Sequence, residues 1–129
     1  MSNAIVDTLI ALRSQPAEQF RSKTLASSND VAEEDVWLRY HEAVAEVRRV
    51  WGEPELGPTG TAYEGPGWRA GYKGDCPSPD EYFQLLYCQA LRIGWWKRTG
   101  FVHAVMLTGH DANALQILRL AVAEARKDA

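Results

Sequence analysis

The fold is decided by residues 91–108, which read LRIGWWKRTGFVHAVMLT. Two apolar runs, 91–98 and 101–108, flank the dipeptide Thr99-Gly100. Runs of this kind joined by two turn-forming residues are typical of a β-hairpin. The stretch therefore predicts two antiparallel strands that belong to a small sheet.

A two-residue loop also fixes the register of the hairpin, because it pairs Arg98 with Phe101 and Trp96 with His103. Successive side chains of a strand point to opposite faces. One face is then apolar and is expected in the core: Leu91, Ile93, Trp95, Val102, Ala104 and Met106. The other face mixes apolar residues with cations and a histidine: Arg92, Trp96, Arg98, Phe101, His103, Val105 and Leu107.

The mixed face allows two interpretations. A helix covers it and its cations extend to solvent, which is the favoured interpretation, or it is partly exposed as a binding surface. Tryptophan and arginine together are typical of the residues that dominate protein interfaces. We therefore take five residues of this face as binding candidates: Arg92, Trp96, Arg98, Phe101 and His103.

The segment after the hairpin predicts a closing C-terminal helix. Asp111 is a candidate N-cap for a helix from Ala112 to about Lys127. Six residues recur at helical spacing on one face: Ala114, Ile117, Leu118, Ala121, Val122 and Ala125.

Before the hairpin, Ser78-Pro79-Asp80-Glu81 is a helix-start signal, with Ser78 as N-cap. The residues that follow are apolar nearly all round, so periodicity alone does not separate helix from strand. We expect a helix over about 79–89 and a strand from about Ala90, with one long strand as the alternative.

The clearest helix signal covers Val31–Trp51. Five residues form an apolar stripe at spacings of four, four, three and four: Val36, Tyr40, Val44, Val47 and Trp51. Asp30 and Glu33 suggest a capping box at its start, and Gly52 is typical of the residue that follows a helix.

The remaining segments carry weaker signals. Residues 3–13 predict a short amphipathic helix and Pro16–Arg21 a second one, whereas 22–29 is polar and predicts a loop. Seven of the ten glycines lie between Gly52 and Gly74. In that stretch, alternation at 68–73 indicates a strand, with an irregular loop as the alternative.

Composition limits the class of protein. A chain of 129 residues predicts one globular domain, 1–129, of α+β class: N-terminal helices, the antiparallel sheet and the closing helix. A net charge of −3 and a pI near 5.6 argue against a nucleic-acid partner. The apolar runs are too short to cross a membrane.

The two cysteines, Cys76 and Cys88, have no metal-ligand spacing, so we expect free thiols, no metal and no cofactor. No secretory signal is recognisable, and a cytoplasmic location is expected.

The sequence offers few groups for catalysis. His110-Asp111 lies where a strand precedes a helix, and His103 lies among aromatic residues, but the structural interpretation is favoured for each. Phosphate-binding and nucleophile motifs do not occur in the sequence. An enzyme is therefore the less favoured class.

These observations predict a small protein-binding domain that acts through the mixed hairpin face, for example an inhibitor, an immunity-type protein or a regulatory subunit. The alternative is a small enzyme or small-ligand-binding domain that uses His103, His110 and Asp111 near the glycine-rich loop. The sequence does not indicate an oligomeric state.

Overall fold

The computed structural model describes residues 2–16, 21–55, 76–109 and 115–127. Its elements in chain order are α1 (Ala4–Leu12), β1 (Ser22–Ser27), α2 (Glu33–Trp51), α3 (Glu81–Cys88), β2 (Ala90–Arg98), β3 (Phe101–Thr108) and β4 (Ile117–Glu124). This is the predicted α+β class. None of the helices in these ranges combines the length and the apolar character that crossing a membrane requires.

The four strands form one antiparallel sheet in the order β1-β4-β3-β2. The predicted hairpin is confirmed, including the pairs Arg98–Phe101 and Trp96–His103. Thr99 and Gly100 have φ angles of 54° and 82°, the positive values that a tight hairpin turn requires at both central positions. The loop therefore has two residues, and the register follows from it.

The predicted closing C-terminal helix is wrong. The chain from Ile117 to Glu124 is the strand β4, which lies between β1 and β3. Leu118, Leu120 and Val122 face one side of the sheet, and Ala121 and Ala123 face the other. A central strand is buried on both sides, so its sequence has an apolar run that also fits helical spacing.

The sheet has a core on each face. α1 and α2 cover the first face, where Val36, Val47, Trp96, Leu107 and Leu120 are buried. On the second face, α3 and Cys76 pack against a surface that contains four buried alanines: Ala90, Ala104, Ala121 and Ala123. Five of the six residues of the predicted apolar face of the hairpin belong to this second core. The sixth, Leu91, lies at the register shift between Ala90 and Arg92 and is only half-buried.

Three local predictions need correction. Residues 22–27 form the edge strand β1 instead of a loop, and they pair with β4 around an irregularity at Leu25. α2 begins at Glu33 after Ala32 without a side-chain cap, because Asp30 lies in the turn that follows β1. The N-cap of α3 is Asp80, whose carboxylate accepts from the Phe83 amide at 2.8 Å.

Other predictions are confirmed or fall outside the described residues. The helix at 3–13, the end of α2 at Gly52, and the change from helix to strand near Ala90 are all confirmed. Most of the predicted helix Pro16–Arg21 and the predicted strand at 68–73 lie outside the described residues.

Candidate functional site

At the turn end of the hairpin, the ends of α1, α2 and β2 bring cations and aromatic rings together. We call this group the arginine cluster; it comprises Arg13, Arg21, Trp51, Arg98 and Phe101. Arg13 follows the last residue of α1, and Trp51 is the last residue of α2. The hairpin supplies Arg98 and Phe101 as a directly opposed pair.

His103 lies beneath the arginine cluster and is fully buried. Its Nε2 atom accepts a hydrogen bond from Arg13 Nε at 2.6 Å, and its Nδ1 atom lies 3.2 Å from the carbonyl oxygen of Trp96. A guanidinium only donates, so Nε2 carries no proton. The ring is then the neutral tautomer in which Nδ1–H donates to Trp96.

The pKa of His103 is consistent with this arrangement. Burial lowers it from 6.5 to about 4. The hydrogen bond to Trp96 acts in the opposite direction, and the charges of Arg13 and Arg98 lower it further. His103 is therefore a neutral acceptor near pH 7, and its function in the fold is to orient the Arg13 guanidinium.

Trp51 is contacted by two cations. The guanidinium carbons of Arg13 and Arg98 lie 5.8 and 5.4 Å from the centroid of its ring. These distances allow cation–π attraction. Trp51 also makes an edge contact with His103, with the ring centroids 4.8 Å apart. The indole is thus held by α2, by His103 and by both arginines.

A second cation–aromatic pair flanks the first. The guanidinium carbon of Arg21 lies 5.4 Å from the ring centroid of Phe101, and Arg21 Nε donates to the carbonyl oxygen of Gln15 at 2.6 Å. Phe101 is half-buried, with its ring 6.4 Å from that of His103.

The positive charge of the arginine cluster is not neutralised within the described part of the chain. No carboxylate there forms an ion pair with Arg13, Arg21 or Arg98. The nearby pair Arg48–Glu53, at 3.1 Å, uses a different arginine. Burial, and then the charge of Arg98, lower the pKa of Arg13, so the two guanidinium groups repel each other. The negative end of the α1 dipole offsets only part of this charge.

The five predicted binding residues occupy different environments. Trp96 and His103 are 2% and 0% exposed beneath the helices, and the Trp96 indole donates to Gly52 O at 2.9 Å. Phe101 is half-buried and Arg98 is exposed, both in the arginine cluster. Arg92 lies away from it, 5.7 Å from the ring of Trp37. The structure therefore agrees with the favoured interpretation of the mixed face: helices cover it, and its cations extend outward.

The alternative site is only partly described. His110 and Asp111 lie outside the described residues. His103 is near the turn end of β3, and five residues of strand, about 16 Å, separate it from Thr108 at the other end. The role of His103, His110 and Asp111 in a small enzyme stays a prediction.

Sequence reasoning missed Arg13, Arg21 and Trp51 as members of a site. The helical pattern does place Arg13 and Trp51 at or next to the C-terminal ends of their helices. The pattern cannot show that these two ends meet at the same end of the sheet, because that depends on how α1 and α2 pack.

Comparison with protein-family models, with curated proteins and with solved structures gave no match.

No group of three or more His, Cys, Asp or Glu side chains among the described residues could hold a metal ion. A groove of about 690 Å³ lies along the first two to three turns of α2 and is lined by Ala32, Glu33, Glu34, Trp37, Leu38 and His41. By contrast, the arginine cluster draws charged and aromatic side chains from separate elements to one place.

Proposed function

We propose that the protein is a small protein-binding domain, of inhibitor, immunity or regulatory type, and that its contact surface is the arginine cluster. One observation carries the proposal: Arg13 and Arg98 both lie against Trp51, and no carboxylate of the described residues pairs with either. Such an arrangement keeps charged donors available for a partner.

The residue types and their rigidity support this function. Arginine and tryptophan dominate the binding energy of many protein interfaces. Arg13 is fixed by its bond to buried His103, and Trp51 is fixed at the end of α2. Side chains that are already ordered lose less conformational entropy when a partner binds.

The proposal gives the five predicted residues different roles. Arg98 and Phe101 contact the partner together with Arg13 and Trp51. His103 and Trp96 are buried and support the surface from within. Arg92 lies with Trp37 away from the cluster and serves as a comparison. The proposal also places the domain in the cytoplasm, in keeping with the free thiols of Cys76 and Cys88.

The test uses three forms of the full chain: wild type, Arg98→Glu and Arg92→Glu. Each is immobilised and used to capture proteins from a lysate of the source cells. We expect a protein that wild type and Arg92→Glu retain and Arg98→Glu does not, because reversal at a central contact weakens binding by about 2 kcal/mol or more.

Thermal melts of the three forms check that folding is unaffected. Arg98 is exposed, so a charge reversal there should leave the melting temperature nearly unchanged. If Arg98→Glu retains every protein that wild type retains, the arginine cluster is not the contact surface and the proposal fails.

A further inference from the structure

We infer that the partner presents an acidic segment of polypeptide, and that one of its carboxylates binds between Arg13 and Arg98 beside Trp51. This inference rests on the proposed function and names the chemistry that the surface recognises. It follows from the hydrogen-bond donors, the charges and the surroundings of the two guanidinium groups.

Both guanidinium groups have nitrogen atoms available as hydrogen-bond donors. Arg13 uses Nε to reach His103, which leaves the two terminal nitrogens of its guanidinium for other acceptors. Within the described residues, the Arg98 guanidinium donates no hydrogen bond, and its carbon lies 5.4 Å from the centroid of the Trp51 ring. A guanidinium is planar and forms paired hydrogen bonds with a carboxylate. Both groups therefore have donors available for a carboxylate beside the Trp51 ring.

The charges favour an anion at that position. Burial lowers the pKa of Arg13 and the charge of Arg98 lowers it further, so the two positive groups interact unfavourably. A carboxylate between them removes this repulsion and gains two charge-assisted contacts. The Trp51 ring next to both groups excludes water from one side, which strengthens the electrostatic attraction.

The surroundings favour a short acidic segment over a nucleic acid. Glu53 is largely exposed beside Arg48, Glu55 accepts from the Lys97 amide, and Glu124 is paired with Phe101 across the sheet. These acids border the arginine cluster, and the chain as a whole carries a charge of −3. Nucleic acids need a continuous track of cations to neutralise successive phosphates. A compact acidic group fits a cluster with an acidic border.

The experiment titrates acetylated, amidated hexaglutamate into the ¹⁵N-labelled full chain and follows side-chain NMR signals. The Nε–H of Arg13 and the indole N–H of Trp51 are the reporters. We expect both signals to shift on binding, while the indole signal of Trp37, which contacts Arg92, stays in place. Hexaglutamine of the same length should produce no shift.

Three variants separate charge, geometry and location. Arg98→Gln should weaken hexaglutamate binding about tenfold, because it removes a charged hydrogen bond. Arg98→Lys keeps the charge without the planar fork and should retain part of the affinity. Arg92→Gln removes an arginine that lies on another tryptophan, 5.7 Å from its ring, and should bind as wild type does.

The outcomes distinguish the inference from the proposed function. If the lysate partner depends on Arg98 but hexaglutamate neither shifts Trp51 nor competes with that partner, the inference fails and the proposed function stands. If hexaglutamate binds in an Arg98-dependent way but no captured protein depends on Arg98, the acidic-ligand site stands and the proposed function fails. Tighter binding of a six-residue oligothymidylate at the same signals would overturn the inference in favour of a nucleic acid.

Discussion

A buried histidine usually needs partners for both of its ring nitrogens, and His103 has them in Trp96 and Arg13. The neutral ring satisfies both partners, whereas protonation at Nε2 would place a proton against the Arg13 donor. The same bond that fixes Arg13 in the candidate site therefore makes the charged form of His103 unfavourable in the folded state.

This coupling predicts a specific dependence of stability on pH. The pKa of His103 is about 4 in the folded state and near 6.5 when the chain unfolds. Between these values the unfolded state binds the extra proton, so the free energy of unfolding falls as the pH is lowered from about 6.5 to 4. The slope approaches about 1.4 kcal/mol per pH unit in that range.

Denaturant titrations of wild type and His103→Gln across this range measure the effect. Glutamine can accept from Arg13 and donate to Trp96 but gains no proton, so its curve should lack this contribution. Carboxylates titrate in both proteins and cancel in the difference. Parallel curves for the two proteins would contradict the prediction, whatever the absolute stability of the variant.

At the scale of the element, the β2–β3 hairpin is held to the helices by Trp96. Its ring lies in the first core, and its indole nitrogen donates to Gly52 just after α2. A methyl group at Gly94 would lie 3.2 Å from the Trp96 ring, so the glycine makes room for the indole. The hairpin and α2 are therefore fitted to each other at this point.

We expect Trp96→Ala to lower the free energy of unfolding by about 3–5 kcal/mol, the cost of a large-to-small substitution in a core. Thermal or denaturant unfolding followed by circular dichroism measures the loss. Lys97→Ala, at the exposed neighbouring position, is the matched control and should change stability by less than about 0.5 kcal/mol. A loss below about 1 kcal/mol for Trp96→Ala would show that the helices do not seal this face.

The hairpin could be predicted from sequence because its turn chemistry is local. Thr99-Gly100 fixes the loop length, and the loop length fixes every pair from Arg98–Phe101 to Ile93–Met106. β4 could not be predicted in the same way. Its alanines fit a helical stripe, and only the packing of α3 against Ala121 and Ala123 shows that small residues are needed on a strand.

The edge strand β1 and the candidate site also depend on packing between distant segments, which local sequence patterns do not show. Residues 22–27 are mostly polar although they form a strand, and β1 lies at an edge of the sheet, where an exposed lysine such as Lys23 is typical. Sequence identified Arg98, Phe101 and His103 through the hairpin register. Arg13 and Trp51 join them through the packing of two helices that are distant in sequence, and no local pattern contains that information.

At the scale of the whole molecule, both cores use the same sheet. Strands β3 and β4 give alternate residues to the first core under α1 and α2 and to the second core with α3. Loss of one core therefore exposes the strands on which the other depends. If residues 1–129 form one domain, as predicted, the two cores should unfold together.

Alkylation of Cys76 measures the opening of the second core when a substitution is made in the first core. Cys76 is 1% exposed, and burial raises the pKa of its thiol, so it reacts with alkylating reagents only after the structure opens. Val47 is fully buried in the first core, on the other side of the sheet. Val47→Ala should cost about 2 kcal/mol through lost burial and a small cavity.

In a Cys88→Ser background, and in denaturant well below the midpoint, where opened molecules are rare, alkylation of Cys76 reports the population of opened molecules. A loss of about 2 kcal/mol raises that population roughly thirtyfold, so Val47→Ala should speed the alkylation of Cys76 by the same factor. Glu42→Ala, at an exposed position of the same helix, should leave the rate unchanged. A Val47→Ala protein that loses stability by circular dichroism while Cys76 keeps its wild-type rate would show that the two cores open independently. The sheet couples the two cores only if the Cys76 thiol on one face responds to the loss of the two Val47 methyl groups on the other.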